Sequence, residues 1–333
     1  MAYTTIDDPE GQGFQVKAYT GNGSDDHSIT LDGTTDLSPN LVWIKNRENE
    51  TSDDPHIWFD TVRGVTKYIE TTSNAGQQTD ADTLDAFQTE GFKIDDDTKV
   101  NTNAEKYVAW CWKESTTAGL DIIAYTGNGS NRTISHNLSP LVPKVIICKN
   151  LERSDNWNTY HVGVGNTDAV FLNSTAAPDD QAEYWNDTDP TSSNITIGVN
   201  TGHNADTEDC IAYVFANVTG FSKHGKYVGN SSTDGKFIYT GFKVAYVMTK
   251  RIDTTSAWYI WDNKRNGFNN SNNALFAYHP SVENTTQRID LLSNGFKFRH
   301  ADSDHNGSSG SYIYMAFAES PFVNSKNVPN NAN

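Results

Sequence analysis

A short phrase constrains this chain more than anything else in it. Tyr19-Thr20-Gly21-Asn22-Gly23-Ser24 returns as Tyr125-Thr126-Gly127-Asn128-Gly129-Ser130 and, slightly degraded, as Tyr227-Val228-Gly229-Asn230-Ser231-Ser232. Behind each occurrence comes an apolar strand ending in Lys45, Lys149 or Lys250. A Trp-bearing strand follows, with Trp157 expected where Trp58 stands, and then a closing strand that alternates aromatic and small residues: Tyr107–Trp112, Cys210–Ala216 and Tyr312–Ala318.

A period of roughly a hundred residues is too long for a solenoid repeat of about 20–50 and matches an ordinary domain. Many short apolar runs, separated by Gly, Asn, Asp and Ser, read as strands joined by turns. The expectation is an all-β chain of three tandem homologous antiparallel β-sandwiches, jelly-roll-like, each with its own core, at 12–116, 117–220 and 221–323. An N-terminal arm (1–11) precedes them and a polar tail (324–333) follows. The junctions at Ser115–Gly119 and Asn217–Gly220 are short, so the units touch rather than swing. In this frame the recurring phrase is a hairpin that sets register, with Gly supplying positive φ and Asn the turn chemistry. Helical signal is scarce; the best stretch, Ala81–Phe87, supports a turn or two before Gly91.

Charge and cysteine usage exclude several classes. A net charge of −17 argues against nucleic acid, whose phosphates need Lys and Arg stripes, and favours solubility. Cys111, Cys148 and Cys210 lie inside apolar strands, odd in number and widely spaced, which fits neither a disulfide framework nor a zinc site. The N-terminus carries no apolar run of signal-peptide type and no window is long enough to span a membrane, so synthesis in the cytoplasm is expected, without membrane insertion. The Asn-x-Ser/Thr triplets follow from abundant turn residues.

The eight tryptophans invite a sugar-stacking reading, but most recur at repeat-equivalent strand positions, which is how a shared core would look. The exception is Trp185, in the polar loop Glu183-Tyr184-Trp185-Asn186-Asp187. Tyr184, Trp185 and Asn186 are therefore the candidate ligand platform. Asp302, Asp304 and Asn306 match the opening half of a calcium loop, but the closing Glu is missing, so a tight polar hairpin is the alternative and a structural calcium the only cofactor considered. No Gly-x-Ser-x-Gly elbow, His-Glu-x-x-His or phosphate loop appears, and nothing selects a carboxylate pair for glycoside cleavage.

Over nearly its full length the chain resembles a family of virion structural proteins of tailed bacteriophages, marine ones especially. The phrases that carry the likeness are Tyr-Thr-Gly-Asn-Gly-Ser, Leu41-Val42-Trp43-Ile44-Lys45-Asn46-Arg47, Tyr107-Val108-Ala109-Trp110-Cys111-Trp112-Lys113, and the closing run from Tyr312 to Phe322. The strand order also resembles concanavalin-like and SPRY-like sandwiches. The resemblance implies a place on the virion and no catalytic residues. The expected function is a non-enzymatic protein of the tail apparatus (fibre, spike or baseplate appendage) that engages a host-surface polysaccharide. Its partners would be other virion proteins and further copies in a homotrimer or homohexamer. A capsid decoration protein is the alternative, and a polysaccharide-degrading tail enzyme the next. Loops at 49–55, 178–189 and 266–273 differ most between copies and are the expected contact surfaces.

Overall fold

In the computed structural model, residues 13–33, 36–49, 54–266, 269, 273–286 and 288–318 are described. The arm, the tail, and parts of the variable loops at 49–55 and 266–273 lie outside them. The chain is all-β, and the described residues form six antiparallel sheets.

The three largest sheets share one strand order. In the first copy Phe14–Thr20 pairs with the closing strand Lys106–Trp112, which pairs with Leu41–Asn46; Ile57–Asp60, Lys67–Glu70 and Gln78–Thr79 then follow outward. The second copy repeats this with Leu120–Thr126, Asp209–Ala216, Pro143–Asn150, Asn158–His161, Gly165–Phe171 and Asp179–Asp180. In the third the order is Ser222–Val228, Ser311–Ala318, Val244–Arg251, Trp258–Asp262 and Leu275–Phe276. A small sheet accompanies each: His27–Thr30 with Gly91–Ile94 and Leu84–Gln88, Arg132–Ser135 with Asn194–Ile197, and Phe237–Tyr239 with Gly295–Phe298 and Ile289–Leu292.

The period-two pleat of each closing strand sends its side chains to two different cores. Tyr107, Ala109 and Cys111 pack with Ile29, Phe92 and Ile94 of the small sheet. Val108, Trp110 and Trp112 point the other way, into a cluster drawn from all three copies. Six of the eight tryptophans meet there: Trp43, Trp58, Trp110, Trp112, Trp157 and Trp258. Trp112 packs edge-on to Tyr246, Phe215 and Phe317, so aromatic rings of all three copies touch. Burying each such ring is worth about 1.5–3 kcal/mol, and here the three copies supply one another's cover. The expectation that each copy has its own core is therefore incomplete: beside three peripheral clusters stands a larger shared one.

Three local expectations are corrected. The recurring phrase is not a hairpin, because the strand before it pairs in the large sheet and the strand after it in the small one. The Ala81–Phe87 stretch is not helical; Leu84–Gln88 is a strand, paired with Gly91–Ile94. Trp157 lines up with His56 rather than Trp58, because Thr71, Leu172 and Ala277 donate their amides to the carbonyls of His56, Trp157 and Trp258.

Candidate functional site

The recurring phrase is a cradle for a buried asparagine. Just before each closing strand lies a one-turn helix, Thr98–Asn101, Thr201–Asn204 or Ser303–Asn306, started by the side chain of Asp97, Asn200 or Asp302. Each helix ends on an asparagine with no exposed surface: Asn101, Asn204 or Asn306. Its Oδ1 accepts from the backbone N–H of Asn22, Asn128 or Asn230 at 2.8, 3.0 and 3.1 Å. Its Nδ2 donates to the carbonyls of Ser24, Ser130 or Ser232 and of Asp95, Gly198 or His300. The phrase tyrosine closes the cradle, Tyr19, Tyr125 and Tyr227 donating to the carbonyls of Val100, His203 and His305. Each glycine has its own reason. A Cβ on Gly21, Gly127 or Gly229 would lie 2.1–2.3 Å from a carbonyl oxygen. Gly23 and Gly129 hold φ near +64° and +63°, a conformation that Ser231 adopts in the degraded copy (φ 53).

The copies meet through a ring of directed bonds. Tyr213 of the second copy donates to Asp60 of the first at 2.6 Å. At the equivalent place Trp110 of the first donates to Asp262 of the third at 3.0 Å. Both carboxylates are also held by an arginine three residues on, Arg63 and Arg265, and those two ion pairs are buried. At the last junction, Met315 stands where Trp110 and Tyr213 stand and cannot donate. There His161 replaces the aspartate, and its Nε2 bonds the carbonyl of Tyr314 at 3.1 Å. A second ring runs alongside, Trp157 donating to the Glu70 carbonyl and Trp258 to that of Phe171. Where it reaches the first copy the position holds His56, which bonds Trp43.

Between the first and second copies a cleft of about 370 Å³ opens, lined by Arg63, Lys67, Gln77, Tyr125, Leu151, Glu152, Asp209 and neighbours. The recurring phrase does not mark it, because it forms between residues some fifty to a hundred and fifty positions apart.

The structure places the candidate ligand residues differently from the expectation. Trp185 is not an exposed platform: it is 1% exposed, and its Nε1 donates to the Asp168 carbonyl at 3.1 Å. The helical turn Ala182–Trp185 folds the ring inward against Tyr160 and His203. Tyr184 is buried as well, its hydroxyl donating to Asp179. Asn186 alone is exposed, a left-handed cap that accepts from Asn131. Asp302, Asp304 and Asn306 do not converge either. Asp302 caps the turn, Asp304 accepts from Tyr259 at 2.9 Å and Ser256 at 3.1 Å, and Asn306 is the buried cradle residue. Among the described residues the trio of carboxylates close enough to share an ion is Asp26, Asp85 and Asp95, within 4.8 Å. The Lys93 ammonium sits 2.6 Å from both Asp26 and Asp85, and those hydrogen bonds push its pKa up.

Burial moves the interior ionisable groups toward neutrality. Desolvation pulls His161, His203 and His305 down to about 4. It pulls Lys149 down to about 8 and Lys250 to about 7. These lysines end their strands against carbonyls: Lys149 at Asn150 and Arg153, Lys250 at Ser256 and, across a junction, Thr175. All three cysteines are buried free thiols, Cys210 pushed up to about 12 by burial.

Residues 10–321 match the model of a family described as a domain of unknown function, DUF7483, and the chain belongs to that family. No curated protein matches it.

Proposed function

We propose that this member of the DUF7483 family is a non-enzymatic virion structural protein of the tail apparatus of a tailed bacteriophage. In this reading it is three sandwich units closed into a pseudo-three-fold body by one chain. The observation that carries the reading is the ring of junction bonds from Tyr213 to Asp60 and from Trp110 to Asp262, completed at His161 and the Tyr314 carbonyl. A body of this kind presents three near-equivalent surfaces about one axis, so it meets a three-fold or six-fold particle axis with every copy engaged. Its interior ionisable groups serve packing: Asp60 and Asp262 hold arginines and donors of the next copy. The acidic, polar exterior suits a protein that stays soluble until it is assembled.

Its partners are other virion proteins, further copies of itself in a trimeric or hexameric array, and a host-surface polysaccharide met through many weak contacts. Immunogold labelling of particles that carry the chain tests the location. Label on the tail is expected. Label on the capsid would make the same body a head decoration protein, and unlabelled particles would remove the virion reading. A glycan array without hits would remove the polysaccharide.

A further inference from the structure

The molecule builds one kind of carboxylate socket twice, and fills it from within only once. At the junction of the third and first copies, Glu283 is the occupant. Its carboxylate receives Arg47 at 2.6 Å, Arg265 Nη1 at 3.2 Å and Asn273 at 2.6 Å. Arg265 is fixed for this by two other bonds, Nε to Asp262 and Nη2 to the Ile260 carbonyl.

The junction of the first and second copies has the same frame. Arg63 makes the same two bonds, Nε to Asp60 and Nη2 to the Trp58 carbonyl. With two corners of the planar guanidinium fixed alike, the third corner faces the same way. The guanidinium also lies beside the Tyr213 hydroxyl, yet its Nη1 is buried with no hydrogen-bond partner, in a residue that is only 8% exposed and borders the cleft. An unpaired buried donor of a charged group is costly, so the site is incomplete as it stands.

Repeat positions explain the difference between the two junctions. The pairing of Tyr68 with Gln78 matches that of Ala274 with Asn284, which makes Gln77 the counterpart of Glu283 and Lys67 that of Asn273. The amides of Arg47 and Leu151 bond equivalent carbonyls, Lys106 and Asp209, so Leu151 is the counterpart of Arg47. The first copy thus replaces the filling carboxylate with a neutral amide and adds a cation, Lys67. All four positions, Arg63, Lys67, Gln77 and Leu151, line the cleft. The lining also carries Glu152 and Asp209. A cleft that holds both charges suits a polypeptide bearing both better than a uniformly acidic sugar.

We infer that this cleft receives an acidic side chain presented on a polypeptide loop of a neighbouring protein, in the place that Glu283 takes at the other junction. The inference goes beyond the virion reading and does not depend on where on a particle the chain sits.

The test uses the full-length chain and a fluorescent peptide copying residues 280–286, followed by polarisation. Saturable binding is expected, and it should weaken by about tenfold when the peptide carries Glu283→Gln. The rim variants Gln77→Glu and Lys67→Glu, whose thermal unfolding should stay close to that of the parent chain, are each expected to weaken binding by about tenfold as well, the first by filling the socket from within. Equal binding of the two peptides, unchanged binding by Gln77→Glu, or no saturable binding at millimolar peptide would overturn the inference. Competition by glucuronate without binding of the peptide would reassign the cleft to an acidic sugar and overturn it too.

Discussion

The outer ends of the three copies and their inner junctions have diverged to different degrees. At the outer ends, Asn101, Asn204 and Asn306 make the same bonds to the same positions of the phrase. At the junctions no two are alike: one has Tyr213 on Asp60, one Trp110 on Asp262 with Glu283 alongside, and one His161 on a carbonyl. A cradle lies within one copy and must solve the same problem each time. A junction in a single-chain ring occurs once, so each is free to change provided both sides change together. The pairing of His161 with Met315 shows that condition at work, since an aspartate facing a methionine would be a buried charge short of a donor.

The most disruptive change to a junction is His161→Asp. Val164 stands where Arg63 and Arg265 stand, so the new carboxylate would be buried without its arginine. A loss of about 3–5 kcal/mol in urea unfolding is expected. Adding Val164→Arg and Met315→Tyr should restore most of it; no recovery would mean that the junctions are not equivalent.

Next in size are the cradles. Asn101→Ala, Asn204→Ala and Asn306→Ala each leave several buried backbone groups unpaired and should each cost about 2–4 kcal/mol. Equal losses support a repeated device, whereas a loss confined to one copy would end the comparison.

Acid should then separate the cradles. His203 and His305 lie inside the one-turn helix of the second and third copies, just before the cradle asparagine, where the first has Val100. Their pKa values are about 4 when folded, against an ordinary 6.5. The unfolded chain therefore binds more protons between those values, so stability is full above about pH 6.5 and falls as pH drops toward 4. His203→Val and His305→Val should flatten that fall, as unfolding midpoints across the range would show. The smallest effect belongs to Gln77→Glu, which should add about 0.5 kcal/mol by pairing a new carboxylate with Arg63 and Lys67.

Much of the outer architecture was legible in the sequence, because repetition at a fixed period marks equivalent positions whatever their role. The same bookkeeping would have found the cradles, since Asn101, Asn204 and Asn306 recur with the phrase; their dispersed polar settings hid them. The junctions carried no such signal. Tyr213 and Asp60 lie 153 positions apart, and nothing local to either announces the other. Trp185 was misread for a related reason: a polar loop suggests exposure, but a single helical turn capped by left-handed Asn186 reverses the chain and drives the ring inward. The inner face of each closing strand was readable as apolar. What covered it was not, because the cover comes from the other two copies.

Excising the first copy is the decisive check on the claim that the three copies cover one another. Residues 12–116 expressed alone would expose Trp43, Trp58, Trp110 and Trp112, all buried in the shared cluster. Measured by thermal unfolding and near-ultraviolet dichroism, the fragment is expected to lack a cooperative transition and fixed aromatic packing. A monomeric fragment that melts cooperatively near the temperature of the full chain would contradict the claim and make the three copies independent domains.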